Sequence, residues 1–322
     1  MSIRVLLPQP LLPEGESYLR EHGYEIVEGR GTTEQDIVED IADCDALILR
    51  TAKAPQRVID AAPKLKIIAR HGAGYDGVDV EAARRNGVLV CTAGPSNAIS
   101  VAELAIFYML YCSRNFKAVQ KHYVDDYKFA KMGIPKTELH GKTLGLVGLG
   151  NIGRLVARKA ALGFDMKVLA FDPYASGDLP GYIELLQDRD ELLARADYVS
   201  LHLPATESTV GSIDSGAFEL MKPTAYLVNT SRGTIVDEPA LVAALEQGRI
   251  AGAALDVTAQ EPIQPDNPLL AMENVLTAPH IGGATKEAAF RSSLACAKAI
   301  HDHFSGRTPD FVVPELRDLI DA

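Results

Sequence analysis

The segment from Thr143 to Asp172 constrains the fold more than any other part of the chain. Leu144, Leu146 and Val147 form a short apolar run suited to a strand buried on both faces. Gly148, Gly150 and Gly153 then fit G-x-G-x-x-G, with Asn151 and Ile152 between the last two. Leu155, Val156, Ala157 and Ala160 follow with helical spacing, and a second apolar run from Lys167 ends on Asp172. Strand, glycine turn, helix, strand and acid make up the dinucleotide-binding fingerprint. The first glycine permits a tight turn, the second lets a pyrophosphate approach the backbone, and the third lets helix and strand pack closely. The unpaired N–H groups and the dipole at the helix start then hold phosphate. Asp172 is placed to accept bonds from a ribose 2′-hydroxyl. Its charge would repel a 2′-phosphate, and no Arg or Lys follows in Pro173-Tyr174-Ala175-Ser176, so NAD is expected over NADP.

A chain of 322 residues is long enough for two domains. The net charge of -11 argues against nucleic acid or an anionic membrane as partner, while leaving room for a local basic pocket. Cys44, Cys91, Cys112 and Cys296 form no C-x-x-C and no metal-ligand spacing. They read as small buried residues in a reducing compartment, so no metal and a cytoplasmic location are expected. Pro8, Pro10, Pro13 and Glu14 interrupt any signal-peptide core, and no apolar stretch reaches membrane-spanning length.

Before the fingerprint, strands are predicted at 3–7, 24–27, 46–49, 66–69 and 88–91, with helices between them. Thr32 or Thr33 is placed to cap the helix that runs to Ile41. Alternating strands and helices mean an α/β unit with a mostly parallel sheet. Ala98 to Tyr111 is helical in length and apolar almost all round, so burial on most faces is expected, either sunk in one core or, the favoured reading, between domains and subunits. Residues 115–140 read as a polar, irregular arm. After Asp172, strands are predicted at 196–202, 225–229, 252–257 and 275–278, and a long helix runs from Lys286 to Phe304.

In an open parallel sheet, ligands bind beyond the carboxyl ends of the strands. Arg232, Glu261 and His280 each follow such a strand, so they should converge on one edge beside the cofactor. Singly, each has a plain structural explanation: a solvated charge, a turn before Pro262, a satisfied histidine. Together they suit hydride transfer. The planar fork of Arg matches a carboxylate. His can donate a proton to a carbonyl oxygen or take one from a hydroxyl, and a nearby carboxylate orients the ring and favours its charged form.

Gly148-Leu-Gly-Asn-Ile-Gly153, Val228-Asn-Thr-Ser-Arg-Gly-Thr-Ile-Val-Asp237, Leu255-Asp-Val257 with Glu261-Pro262, and Pro279-His-Ile-Gly-Gly283 together resemble the D-isomer-specific 2-hydroxyacid dehydrogenases. The resemblance spans essentially the whole chain. It implies catalytic Arg232, Glu261 and His280, with cofactor contacts at Asn151, Ile152, Asp172, Leu203, Pro204, Thr230, Ser231, Asp256, Gly282 and Gly283 besides the fingerprint glycines. It implies two doubly wound domains. A Rossmann domain (98–289) is inserted into a flavodoxin-like substrate domain built from 1–97 and 290–322. Arg50, Arg70, Ala73, Gly74 and Arg232 are implied as substrate contacts, and Ala98–Tyr111 with the arm after it as a homodimer contact. Within the family the nearest subgroup is the 3-phosphoglycerate dehydrogenases, although hydroxypyruvate, glyoxylate and other 2-oxoacid reductases share every motif named. Arg50, Lys53, Arg70 and His71 follow two strands of the substrate domain. They either hold loops in place or meet a second anionic group such as a phosphate. The two domains are expected to close on ligand. Because the chain stops at Ala322, no feedback inhibition by serine through an added domain is expected. A reading from another class is an NAD-sensing binding protein similar to the C-terminal-binding corepressors. Those carry a Trp at the pocket and this chain has none. Formate dehydrogenases are also similar but have Gln in place of Glu261.

Overall fold

The structure is a computed structural model and describes residues 2–320. It divides into two compact units. One runs up to Asn97 and resumes at Gly283, and the other is Ala98–Gly282.

The first unit holds five parallel strands, β1 (Arg4–Leu7), β2 (Glu25–Glu28), β3 (Ala46–Leu49), β4 (Ile67–Arg70) and β5 (Leu89–Thr92), in the order β2-β1-β3-β4-β5. This is the flavodoxin-like doubly wound order. All four residues of β3 are buried, as expected of an inner strand covered on both faces. Thr33 caps the helix Glu34–Ile41 through a capping box with Asp36. At the switch point between β1 and β3 the two following loops are tied together. Gln9 Oε1 accepts from the Thr51 and Ala52 amides (2.9 and 3.3 Å), and Arg50 Nη1 donates to the Pro10 carbonyl (2.8 Å).

The helix Lys286–Phe304, capped by Thr285, belongs to this first unit from its first turn, so the second crossing lies at Gly282–Gly283 and not at 289–290. The reason is local. Arg291 Nε donates to the Ser96 carbonyl (2.7 Å), and the Ser96 and Ser292 hydroxyls pair (2.7 Å), which fixes the start of the helix to the segment before Asn97.

The second unit carries seven parallel strands: β6 (Thr143–Val147), β7 (Lys167–Phe171), β8 (Ile183–Leu185), β9 (Tyr198–Leu201), β10 (Tyr226–Asn229), β11 (Gly252–Leu255) and β12 (Val275–Thr277). Their order is β12-β11-β10-β9-β6-β7-β8, with the direction of winding reversing beside β6. Strands β9, β10 and β11 are buried throughout. The helix Ala98–Ser113 packs on one face of this sheet with Asn151–Phe164. It is less buried than its composition suggests, because Ile99, Phe107 and Leu110 are 47%, 49% and 36% exposed and leave one apolar stripe uncovered. The arm is also more regular than expected. It forms a helix, Phe116–His122, and a π-turn, Phe129–Gly133. Lys117 Nζ donates to the carbonyls of Leu270, Met272 and Val275, pinning the arm to the segment that leads into β12.

Candidate active site

Register places the second unit's functional groups. The last paired positions of β7, β6, β9, β10, β11 and β12 are Phe171, Val147, Leu201, Asn229, Leu255 and Thr277, and they lie in one row. One residue further on come Asp172, Gly148, His202, Thr230, Asp256 and Ala278. Residues in one row of a parallel sheet share a face. The chain therefore delivers two carboxylates, an imidazole, a hydroxyl and the first fingerprint glycine to one edge.

The glycines there are required by space. Gly148 has φ 96°, and a Cβ on it would run into the His202 carbonyl. A Cβ on Gly153 would run into the Gly148 carbonyl. Gly150 has open space where its side chain would be. It is the N-cap of the helix Asn151–Phe164, whose first amides have no intrahelical acceptor. Beside this turn the Asp172 carboxylate is held by two backbone amides, Leu149 N (2.8 Å) and Tyr174 N (2.8 Å), one on each oxygen. Each oxygen keeps a further lone pair for a hydroxyl. His202 Nε2 lies 2.8 Å from Ser200 Oγ, and burial pushes the ring down to about 3, so it is neutral. His202 Nδ1 and Thr230 Oγ1 are sequestered from solvent without a hydrogen-bond partner. An open helix start, an uncrowded glycine, a fixed carboxylate and two orphaned polar atoms along one edge fit a bound dinucleotide. Gly150, Asn151 and Ile152 would meet its phosphates and Asp172 its ribose.

Asn229, 1% exposed, shapes the loop after β10. Its Oδ1 accepts from Ser231 N and Oγ (3.0 and 2.8 Å), and its Nδ2 donates to the Arg232 carbonyl (2.9 Å). Arg232 is half-buried, with Nη1 on the Ser231 carbonyl (2.8 Å). A Cβ on Gly233 would overlap the Thr258 carbonyl, so only glycine lets the loops after β10 and β11 meet this closely. Glu261 follows β11 and His280 follows β12. They converge as a hydrogen-bonded pair, His280 Nδ1 to Glu261 Oε2 at 2.9 Å, with side chains 48% and 41% exposed. The carboxylate accepts a hydrogen bond from Nδ1–H, so Nε2 is the nitrogen left for a reactant. His280 stands at φ 55°, a left-handed conformation.

The other expected residues are placed less simply. Leu203 and Pro204 follow directly after His202, half-buried and exposed respectively. Asp256 is 1% exposed, and its carboxylate already accepts from Ile281 N (2.9 Å) and Gly282 N (2.8 Å), so in this structure it anchors the loop that carries His280. Gly283 falls in the first unit against the Asn97 side chain. Also in the first unit, Arg70 Nη1 donates to the His71 carbonyl (2.8 Å), which supports the loop of Ala73 and Gly74. His71 is not a cation. Burial pushes it down to about 4, and its Nε2 lies 3.0 Å from Ser293 Oγ. Asn229, His202 and Tyr108, which reaches Asp256, were not singled out from the sequence. Aligning the residues that end successive strands would have found the first two. The third lies on a different element and leaves no local signal. Among the described residues no cluster suited to a metal ion occurs, and no helix is long and apolar enough to cross a membrane.

Residues 106–282 match the family described as D-isomer specific 2-hydroxyacid dehydrogenase, NAD binding domain. The chain is 39% identical over 300 residues to a D-3-phosphoglycerate dehydrogenase of Archaeoglobus fulgidus, covering 92% of this chain and 56% of that one. It spans little more than half the length of that relative. Among solved structures it is similar to an NADPH-dependent glyoxylate/hydroxypyruvate reductase of Sinorhizobium meliloti in complex with NADP and malonate (29% identity, TM-score 0.85, 98% of each chain). It is also similar to an NAD-dependent formate dehydrogenase of Staphylococcus aureus in complex with NAD (29% identity, TM-score 0.84, 97% of this chain and 99% of that one). The match over the second unit, the doubly wound order of both sheets and the glycine turn ending on Asp172 agree: the chain belongs to the D-isomer specific 2-hydroxyacid dehydrogenases.

Proposed function

We propose that the chain is an NAD-dependent D-2-hydroxyacid dehydrogenase, and that its substrate is a phosphorylated three-carbon acid, the 3-phosphoglycerate/3-phosphohydroxypyruvate pair. The observation that carries the reaction type is the His280–Glu261 pair on the sheet edge that bears the glycine turn. NAD(H), held by Gly150, Asn151, Ile152 and Asp172, would supply or accept the hydride. Arg232 binds the substrate carboxylate through its fork. His280 Nε2 gives a proton to the carbonyl oxygen in reduction and takes one from the hydroxyl in oxidation. Glu261 holds the ring by Nδ1 and sets its orientation. The phosphorylated substrate is supported by the similarity to proteins named D-3-phosphoglycerate dehydrogenase, and Arg50, which follows β3, is the cation assigned to the phosphate although its Nη1 also donates to the Pro10 carbonyl. Charge-assisted bonds of this kind contribute about 1.5–3 kcal/mol each, enough for one to two orders of magnitude in preference.

The test is kcat/KM for 3-phosphohydroxypyruvate, hydroxypyruvate, glyoxylate and a branched 2-oxo acid, each with NADH and NADPH. The phosphorylated acid with NADH should lead, and Arg50→Ala should raise its KM. Equal use of hydroxypyruvate or glyoxylate identifies a simpler 2-oxoacid reductase. Comparable rates with NADPH contradict the role of Asp172. No turnover of any 2-oxo acid leaves the NAD-sensing binding protein as the reading.

His280→Gln should abolish turnover and leave NADH binding, read by fluorescence, intact. Arg232→Lys should also fail, because a point charge cannot replace the fork. Glu261→Gln should lower kcat and leave the KM for NADH unchanged, because the ring loses the carboxylate that orients it. An unchanged kcat in this variant contradicts the pairing.

We assign the uncovered stripe of Ile99, Phe107 and Leu110, with Tyr123, Val124, Tyr127 and Met132 of the arm, to a homodimer contact in a cytoplasmic enzyme. Exposed large apolar residues gathered on one segment of chain mark association surfaces. Phe107→Glu should give monomers in light scattering where the parent chain gives dimers. A monomeric parent removes the assignment.

A further inference from the structure

The helix Ala98–Ser113 has a second feature besides its uncovered stripe. Tyr108, 1% exposed, points its hydroxyl at the Asp256 carboxylate, 3.3 Å from Oδ1. Asp256 is equally buried, and a buried carboxylate is stable only when donors surround it. The donors here are Ile281 N, Gly282 N and the Tyr108 hydroxyl. The phenol is a firm neutral donor: burial first, and the carboxylate second, push its ionisation far upward.

The same aspartate is bonded around His280 on both sides of its peptide. His280 N donates to the Asp256 carbonyl (2.8 Å), and the two following amides go to the carboxylate. A left-handed residue depends on its surroundings to hold it there. The helix closes on this loop from below as well. A Cβ on Gly282 would lie 2.9 Å from Asp256 Oδ2, 3.4 Å from Val101 Cγ2 and 3.6 Å from Leu104 Cδ2.

We propose that Tyr108 is a positioning residue for His280: its hydroxyl fixes the Asp256 carboxylate, and through it the Ile281 and Gly282 amides and the backbone that presents the imidazole. The effect on turnover rests on the proposed role of His280, whereas the effect on the loop does not. The same helix carries the apolar stripe on its outer side, so a partner seated there would press on the element that braces the loop.

The experiment is Tyr108→Phe, which keeps the ring and removes the hydroxyl. In cofactor-free protein, hydrogen exchange of the peptide covering Ile281 and Gly282 should speed up about tenfold, with exchange in the first unit unchanged. In the active enzyme kcat should fall about five- to twentyfold, with KM for NADH unchanged. If the effect runs through the carboxylate, Tyr108→Phe should add nothing to Asp256→Asn in the exchange measurement. Unchanged exchange in Tyr108→Phe, or additive effects in the double variant, overturns the proposal. A wild type that turns over no 2-oxo acid, with the exchange result intact, overturns the proposed function and leaves the loop assignment standing.

Discussion

Everything at the candidate site depends on six parallel strands ending in step. Parallel ladders fix side-chain facing by register, and a slip of one residue would turn every strand-end group to the opposite face. With Val147 paired to both Phe171 and Leu201, and Asn229 paired to both Leu201 and Leu255, the next residue of each strand joins one row. Asp172 and Asp256 sit toward opposite ends of that row, with Gly148, His202 and Thr230 between them. Both acids are held by backbone amides from neighbouring turns. One carboxylate stays half-exposed and able to accept a hydroxyl. The other is buried and spends its bonds on the chain itself. The same residue type thus does two jobs, and burial separates them.

Close backbone approach is the second requirement, and it explains the glycines that matter. Gly148 and Gly153 bring the turn against His202 and against each other, and Gly233 brings the Arg232 loop against Thr258. At Gly150 the structure is open, so the protein's own packing does not demand glycine there. The His280–Glu261 pair is half-exposed and so open to solvent, as the proton exchange proposed for it requires.

The fold class and the strand-end groups were legible because both are local. Apolar runs of four or five residues, each followed by a polar turn, announce parallel strands, and Arg232, Glu261 and His280 stand just past three of them. What could not be read depends on contacts between distant segments. The second crossing moved to Gly282–Gly283 because Arg291 and Ser292 bond to Ser96. His71 looks cationic in sequence and is neutral in its packed position. Arg70 spends a guanidinium nitrogen on a carbonyl. The apolar stretch Ala98–Tyr111 reads as buried on most faces, because composition does not say which apolar face the chain itself covers. Tyr108 is a core tyrosine by pattern, and only the fold brings it to Asp256.

The central claim is that the row of strand ends holds the dinucleotide beside His280. A crystal structure of the chain with NADH tests it most directly. The pyrophosphate should lie at the amides of Gly150, Asn151 and Ile152, the adenosine ribose hydroxyls on Asp172, and the nicotinamide on the His280 side of the row within contact of the imidazole. A dinucleotide bound with Asp172 untouched, or with its nicotinamide remote from His280, would contradict the account.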